Sequence, residues 1–147
     1  MPEKILFHVD SSHTIADGKK HTPDKIEMIN VADYHYKDSV HYIHYEEIVE
    51  GTEELTENLV KIGNNRVEII KKGAVRSHLI FENGKANESV YYIPEGQIQM
   101  AVDTKQVEIV HNPQELTVRL QYAMIMNYQK VADCDLTMVA KLQKEKI

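Results

Sequence analysis

Apolar and polar residues alternate through most of the chain, the period-2 pattern of strands buried on one face, and turn-forming residues interrupt the alternation at short intervals. Ile5, Phe7 and Val9 alternate with Leu6, His8 and Asp10 and predict a first strand. The polar stretch 11–23, which contains Gly18 and Pro23, predicts a loop. Residues 25–36 and 40–50 read as two strands joined at Asp38-Ser39, where short polar side chains tolerate a tight turn and Gly would suit it better. A hairpin follows, with strands at 55–62 and 66–72 around Gly63-Asn64-Asn65. Asn83-Gly84 is the best hairpin turn in the chain and predicts pairing of 75–82 with 87–93. Pro94-Glu95-Gly96 turns into 97–104, 105–110 follows, and Asn112-Pro113 marks another turn.

The last two strands have the clearest faces. Leu116, Val118, Leu120, Tyr122, Met124 and Met126 share one side of the first, and Ala132, Cys134, Leu136, Met138, Ala140 and Leu142 share one side of the second. About ten strands emerge, and a single sheet of that size twists until it curls or splits. Closure into an antiparallel barrel, which also removes exposed edges, is the economical solution, with a two-sheet sandwich as the alternative. No repeat or compositional break divides the chain, so residues 1–147 read as one β-barrel domain, with 141–147 as a Lys-rich frayed tail.

Composition narrows the function classes. A charge of -6 and a pI near 5.7 speak against a nucleic-acid binder, which needs a basic face to displace counterions from phosphates. The apolar runs are far shorter than the ~20 residues of a spanning helix, so no membrane partner is expected. A lone cysteine, Cys134, and an opening without a basic-then-apolar leader point to the cytoplasm.

The densest chemistry lies at Tyr34-His35-Tyr36 and in the run from His41 to Glu47. A turn at Asp38-Ser39 sets Tyr36 opposite His41, His35 opposite Tyr42 and Asp33 opposite His44. Tyr34, Tyr36, His41, Ile43 and Tyr45 then share one face, and Asp33, His35, Tyr42, His44 and Glu46 the other. His41 and His44 project to opposite sides and cannot share a metal. The second set has zinc-binding residue types, but a solvated outer face explains it better, so no metal and no cofactor are expected. Cys134 points inward between carboxylates that disfavour a thiolate and reads as a core thiol. Neither a phosphate-cradling glycine loop nor a nucleophile elbow is present. Lys71 ends the inward row of Val67 and Ile69, and a charge aimed into a barrel needs a partner; Glu47, on the Tyr45 face, is the candidate.

Taken together, the chain resembles the YwiB-like family of small bacterial proteins. The resemblance rests on Tyr45-Glu46-Glu47 after a Tyr-rich hairpin, on Lys71-Lys72-Gly73-Ala74-Val75 leading to Ile80-Phe81-Glu82-Asn83-Gly84, and on Tyr91 before Pro94-Glu95-Gly96 and Thr104. It implies an all-β fold, an antiparallel calycin-like (lipocalin-like) β-barrel of eight or more strands, and brings no established activity with it.

The leading expectation is a binding protein that holds a small, partly apolar ligand in the barrel mouth, lined by Tyr45, Glu47, Lys71, Tyr122 and Met124. Met124 and its neighbouring methionines offer soft, adaptable surface. The alternative is a filled barrel acting as a protein-interaction or homodimeric module through the hairpin of residues 24–50. An enzyme using His44, Glu46 and Glu47 as acid-base groups ranks third.

Overall fold

The computed structural model describes residues 3–48 and 53–142, and every regular element in it is a strand. In order these are β1 (Glu3–Ile15), β2 (Asp24–Lys37), β3 (Val40–Ile48), β4 (Leu55–Gly63), β5 (Arg66–Gly73), β6 (Ser77–Glu82), β7 (Ala86–Ile93), β8 (Gly96–Asn112), β9 (Glu115–Met126) and β10 (Gln129–Lys141). The predicted strand end at 49–50 and residues 143–147 of the predicted tail lie outside the described residues, whereas Lys141, expected to fray, ends β10 between Leu6 and Glu115. Among the described residues no helix is long and apolar enough to cross a membrane.

The strands form one antiparallel sheet of ten, ordered β6-β5-β4-β3-β2-β1-β10-β9-β8-β7. All its neighbours are consecutive in sequence except β1 and β10, so the chain is an up-and-down meander closed by its first and last strands. The two sheet ends return to each other at a bridge in which Arg76 and Tyr92 exchange backbone hydrogen bonds of 3.0 and 2.8 Å. The result is a nearly closed barrel.

Turn chemistry sets several joints. Asp38-Ser39, Asn64-Asn65 and Asn127-Tyr128 all have left-handed φ, the two-residue hairpin geometry that matches strand twist. The first brings Tyr36 opposite His41, His35 opposite Tyr42 and Asp33 opposite His44, the predicted register.

Three expectations are corrected. Asn83-Gly84 does turn the chain, but β6 and β7 form no ladder; the turn adds to β8, with Gly84 N–H donating to the Thr104 carbonyl and Thr104 N–H to that of Lys85, both at 2.9 Å. The local preference for a hairpin yields here because β7 pairs with β8 along its whole length. Asn87 compensates β6 by donating its side-chain amide to the Ile80 carbonyl at 3.0 Å. The break expected at Lys105 is a bulge between Thr104 and Gln106 within the continuous β8. Residues 11–15, predicted as loop, extend β1, because β10 pairs with the whole stretch and β2 with residues 11–13, which satisfies their backbone groups.

Inward side chains of both halves meet in one core, in which Phe7, Phe81, Ile43, Ile62, Leu116, Leu120 and Met138 are fully buried. One place in the wall departs from this closure. β2 and β3 pair only between residues 33–37 and 40–44. Beyond His44, β3 continues with β4 while residues 24–32 of β2 continue with β1 alone, so the wall opens between them.

Candidate functional site

Two adjacent cross-strand rows place polar groups inside the barrel at the end where β2 and β3 separate. Tyr45 faces Asn58, Asn58 faces Lys71 and Lys71 faces Ser77. In the next row Glu47 faces Thr56, and Thr56 faces Gly73. Gly73 is required there, since a Cβ would lie 2.5 Å from the Leu55 carbonyl oxygen and φ is +150°. Lys71 reaches diagonally, its Nζ donating to Glu47 Oε1 at 2.7 Å and to Asn58 Oδ1 at 2.8 Å. Asn58, fully buried, closes the triangle by donating Nδ2 to Glu47 Oε1 at 3.1 Å.

Burial works to raise the Glu47 pKa, but the hydrogen bond and charge of Lys71, with help from Asn58, outweigh it and hold the carboxyl below its usual range. Burial, helped by the Glu47 charge, pushes the Tyr45 phenol up to about 12, so it stays a donor at neutral pH. Its ring packs on Phe7, with centroids 5.6 Å apart. Two buried polar atoms lack a hydrogen-bond partner near this end, Thr56 Oγ1 beside Glu47 and Asn30 Nδ2 opposite Phe7.

Lys71 also lines a cleft of about 360 Å³ at the seam between β6 and β7, shared with Lys72, Arg76, Ser77, Ser89 and Tyr92. Lys72 and Arg76 form no close ion pair among the described residues, although Glu57 faces Lys72 across the β4–β5 ladder.

The structure therefore joins Tyr45, Glu47 and Lys71 into one cluster and leaves Tyr122 and Met124 on β9, across the sheet order from β4. Tyr122 is buried against Phe81 at 4.9 Å and faces Cys134 across the β9–β10 ladder, and burial raises both of their pKa values. Met124 is half-buried at the edge of the core. Asn58 and Thr56 are the residues the sequence reading missed. Their signal was parity, since both share the inward face of Val60 and Ile62.

The opposite end carries a second polar group. Burial, with the neighbouring His111, lowers the His41 pKa to about 4; the neutral ring accepts a 2.8 Å hydrogen bond at Nδ1 from the Tyr34 hydroxyl. His111 packs edge-on against it at 4.6 Å. On the outer face, the zinc-type residues are spent on other partners. Asp33 pairs with Lys4 at 2.8 Å, His44 approaches Glu57 at 3.7 Å, and His35 stacks on Tyr42 at 4.6 Å. His44 and Glu46 point outward and Glu47 inward, so this trio does not converge as acid-base chemistry requires.

Comparison with known proteins agrees with this architecture. The crystal structure of the YwiB protein from Bacillus subtilis superposes with a TM-score of 0.76 over 97% of this chain and 96% of that one, at 17% identity, a likeness that shows the fold. No curated protein matches the chain. A family model described as a domain of unknown function, DUF1934, matches residues 8–138, and the chain therefore belongs to that family, the YwiB-like β-barrels.

Proposed function

We propose that the chain is a cytoplasmic binding protein that holds a small molecule with an apolar body and an acidic group at the open end of its barrel. The observation that carries this reading is the position of Lys71, which joins an interior polar network with Glu47 and Asn58 and also lines the cleft between β6 and β7. An ion pair at the end of an apolar barrel adds little stability over apolar residues of the same volume, so its presence favours a recognition role. Arg76 and Lys72, the latter opposite Glu57 on β4, supply positive charge at the cleft, Ser77 and Ser89 supply hydroxyls, and Tyr92 supplies an apolar wall. Thr56 Oγ1 is free to bond an incoming polar atom. Tyr45 is the inner donor, and half-buried Met124 forms the far lining against which the apolar body rests, while Tyr122, packed on Phe81, belongs to the core behind it. A lone buried thiol fits a reducing compartment.

Native mass spectrometry of untagged protein, purified gently from its own host, tests this reading. A discrete small-molecule adduct on the wild type that Lys71→Met removes, with the far-UV circular dichroism spectrum unchanged, supports it. A clean apo mass for the wild type overturns it.

A further inference from the structure

We infer that two copies of this chain associate through the free edge of β2, strand against strand, about a two-fold axis at Met28. The inference stands on the backbone and is independent of any ligand. Lys37 and Val40 flank the two-residue turn at Asp38-Ser39 and so form a hydrogen-bonded pair, which means that odd-numbered residues of β2 direct N–H and C=O toward β3. The β1–β2 register runs without a shift to residue 24, so this parity holds along the strand. β3 leaves β2 after the Asp33–His44 pair. Lys25, Glu27, Ile29 and Val31 therefore present both backbone groups to an edge that no described strand occupies.

This edge carries no Pro and no bulge, its charged residues Asp24, Lys25 and Glu27 lie at one end, and the rest is flanked by exposed apolar side chains. Ile29 and Val31 are each 65% exposed, Ile26 is 51% exposed and Met28 is 37% exposed, while Leu6 on the neighbouring strand is 48% exposed. Ile29 and Val31 share the outer face with Leu6, which is the cross-strand partner of Val31. Ile26 and Met28 face the opening in the wall.

The edge is complementary to itself. An antiparallel copy centred on Met28 sets Lys25 against Val31 of the second copy and Glu27 against its Ile29, and only this register uses every free group in reciprocal pairs. It places Lys25 diagonal to Asp33 of the second copy and lays the Lys and Glu stems over Val and Ile. Sliding by one cross-strand step toward the N-terminus would set Glu27 directly opposite Glu27 and leave Val31 unused. In the chosen register the Glu27 pair is only diagonal, and with a charge of -6 on each copy it opposes association, so added salt tightens the dimer. The second copy's β2 would lie where β3 departs and would wall the open side of the barrel.

Sedimentation velocity of the full chain at concentrations up to about 100 µM, in low and high salt, tests the inference, since edge contacts of modest area are weak. A concentration-dependent dimer that strengthens with salt is expected. Ile29→Pro removes an N–H that points to the free edge and leaves the β1 ladder intact, so it should abolish the dimer without changing the circular dichroism spectrum. Should that variant fail to fold, Met28→Cys gives an independent reading, because residues facing each other in a non-hydrogen-bonded pair lie within disulfide reach. Oxidation should link it to its own copy, whereas Cys134 is buried. A monomer at every concentration and salt, a dimer that survives in folded Ile29→Pro, or the absence of a Met28→Cys crosslink would each overturn the inference.

Discussion

The two ends of the barrel handle buried polarity in opposite ways. At the end marked by His41, the imidazole stays neutral, accepts a hydrogen bond from Tyr34 and packs against His111, with fully buried Ile62, Phe81 and Leu116 on neighbouring strands. At the other end the wall parts, and a charged pair of Lys71 and Glu47, each about one-quarter to one-third exposed at its side chain, is held by Asn58. One end avoids charge by desolvating a titratable group, and the other keeps charge by pairing it. The difference separates a part of the molecule packed for stability from the part to which the proposed recognition role is assigned.

The largest expected effect comes from emptying the closed end. Phe81 is fully buried and touches Tyr122. Phe81→Ala should cost about 3–5 kcal/mol in urea denaturation. Met124→Ala, at the half-buried rim of the other end, should cost about 1 kcal/mol. Equal losses would mean that the two ends are packed alike and would remove the contrast.

Protonation is the next lever. The His41 pKa falls from an ordinary 6.5 to about 4 on folding, so between those values the unfolded chain binds a proton that the folded chain refuses. This contribution is fully present above pH 6.5 and is lost as pH falls toward 4, about 3 kcal/mol in all. Heteronuclear NMR titration should find the His41 ring neutral down to about pH 4, and His41→Phe should flatten the stability profile across that window. A ring that titrates near 6.5 would show that this end is open to water.

Glu47 responds to pH in the same direction, but by keeping its charge where His41 loses it. Its folded pKa lies below the ordinary value, so its stabilising effect is present above the unfolded pKa and lost as pH falls through the folded one. Lys71→Met removes the partner and leaves burial to raise the carboxyl, so the loss should begin at higher pH. The variant should be less stable by about 1–3 kcal/mol at neutral pH. Adding Glu47→Leu should restore most of that stability, since a fully apolar replacement leaves no unpaired charge. No recovery in the double variant would mean that the network is a stability device, against its proposed role in recognition.

Sequence legibility followed how local each determinant is. The register of the β2–β3 hairpin was readable because a two-residue turn fixes every later pairing, and with it which of Tyr34, His35, Tyr36 and His41 share a face. The Lys71–Glu47 pair was readable because parity put both charges inside, where each needs the other. Asn83-Gly84 misled because a turn preference says nothing about which strand competes for the edge beyond it, and β8 wins. The stretch 11–15 is strand only because its two neighbours come from residues 24–26 and 132–136, a demand invisible in its own composition. Tyr122 and Met124 were correctly read as inward, but inwardness on β9 places a side chain across the barrel from Lys71 without bringing the two together.

The smallest effect concerns the turn between β9 and β10, at the open end of the barrel. Tyr128 occupies its second position with φ +69° and is 79% exposed, after Asn127 at φ +48°. Left-handed φ is uncommon for a bulky residue and free of steric penalty for Gly, and Asn-Gly is the preferred sequence for this turn. Tyr128→Gly should therefore raise stability by about 1 kcal/mol in thermal denaturation, and Ser39→Gly, with φ +67° but a smaller side chain, by less. A gain at both turns would show that Tyr128 is kept at the open end against local backbone preference, in keeping with a contact made outside the chain. A loss at Tyr128 alone would show that its ring stabilises the fold itself, and would shift the turn from the binding end of the comparison to the structural one.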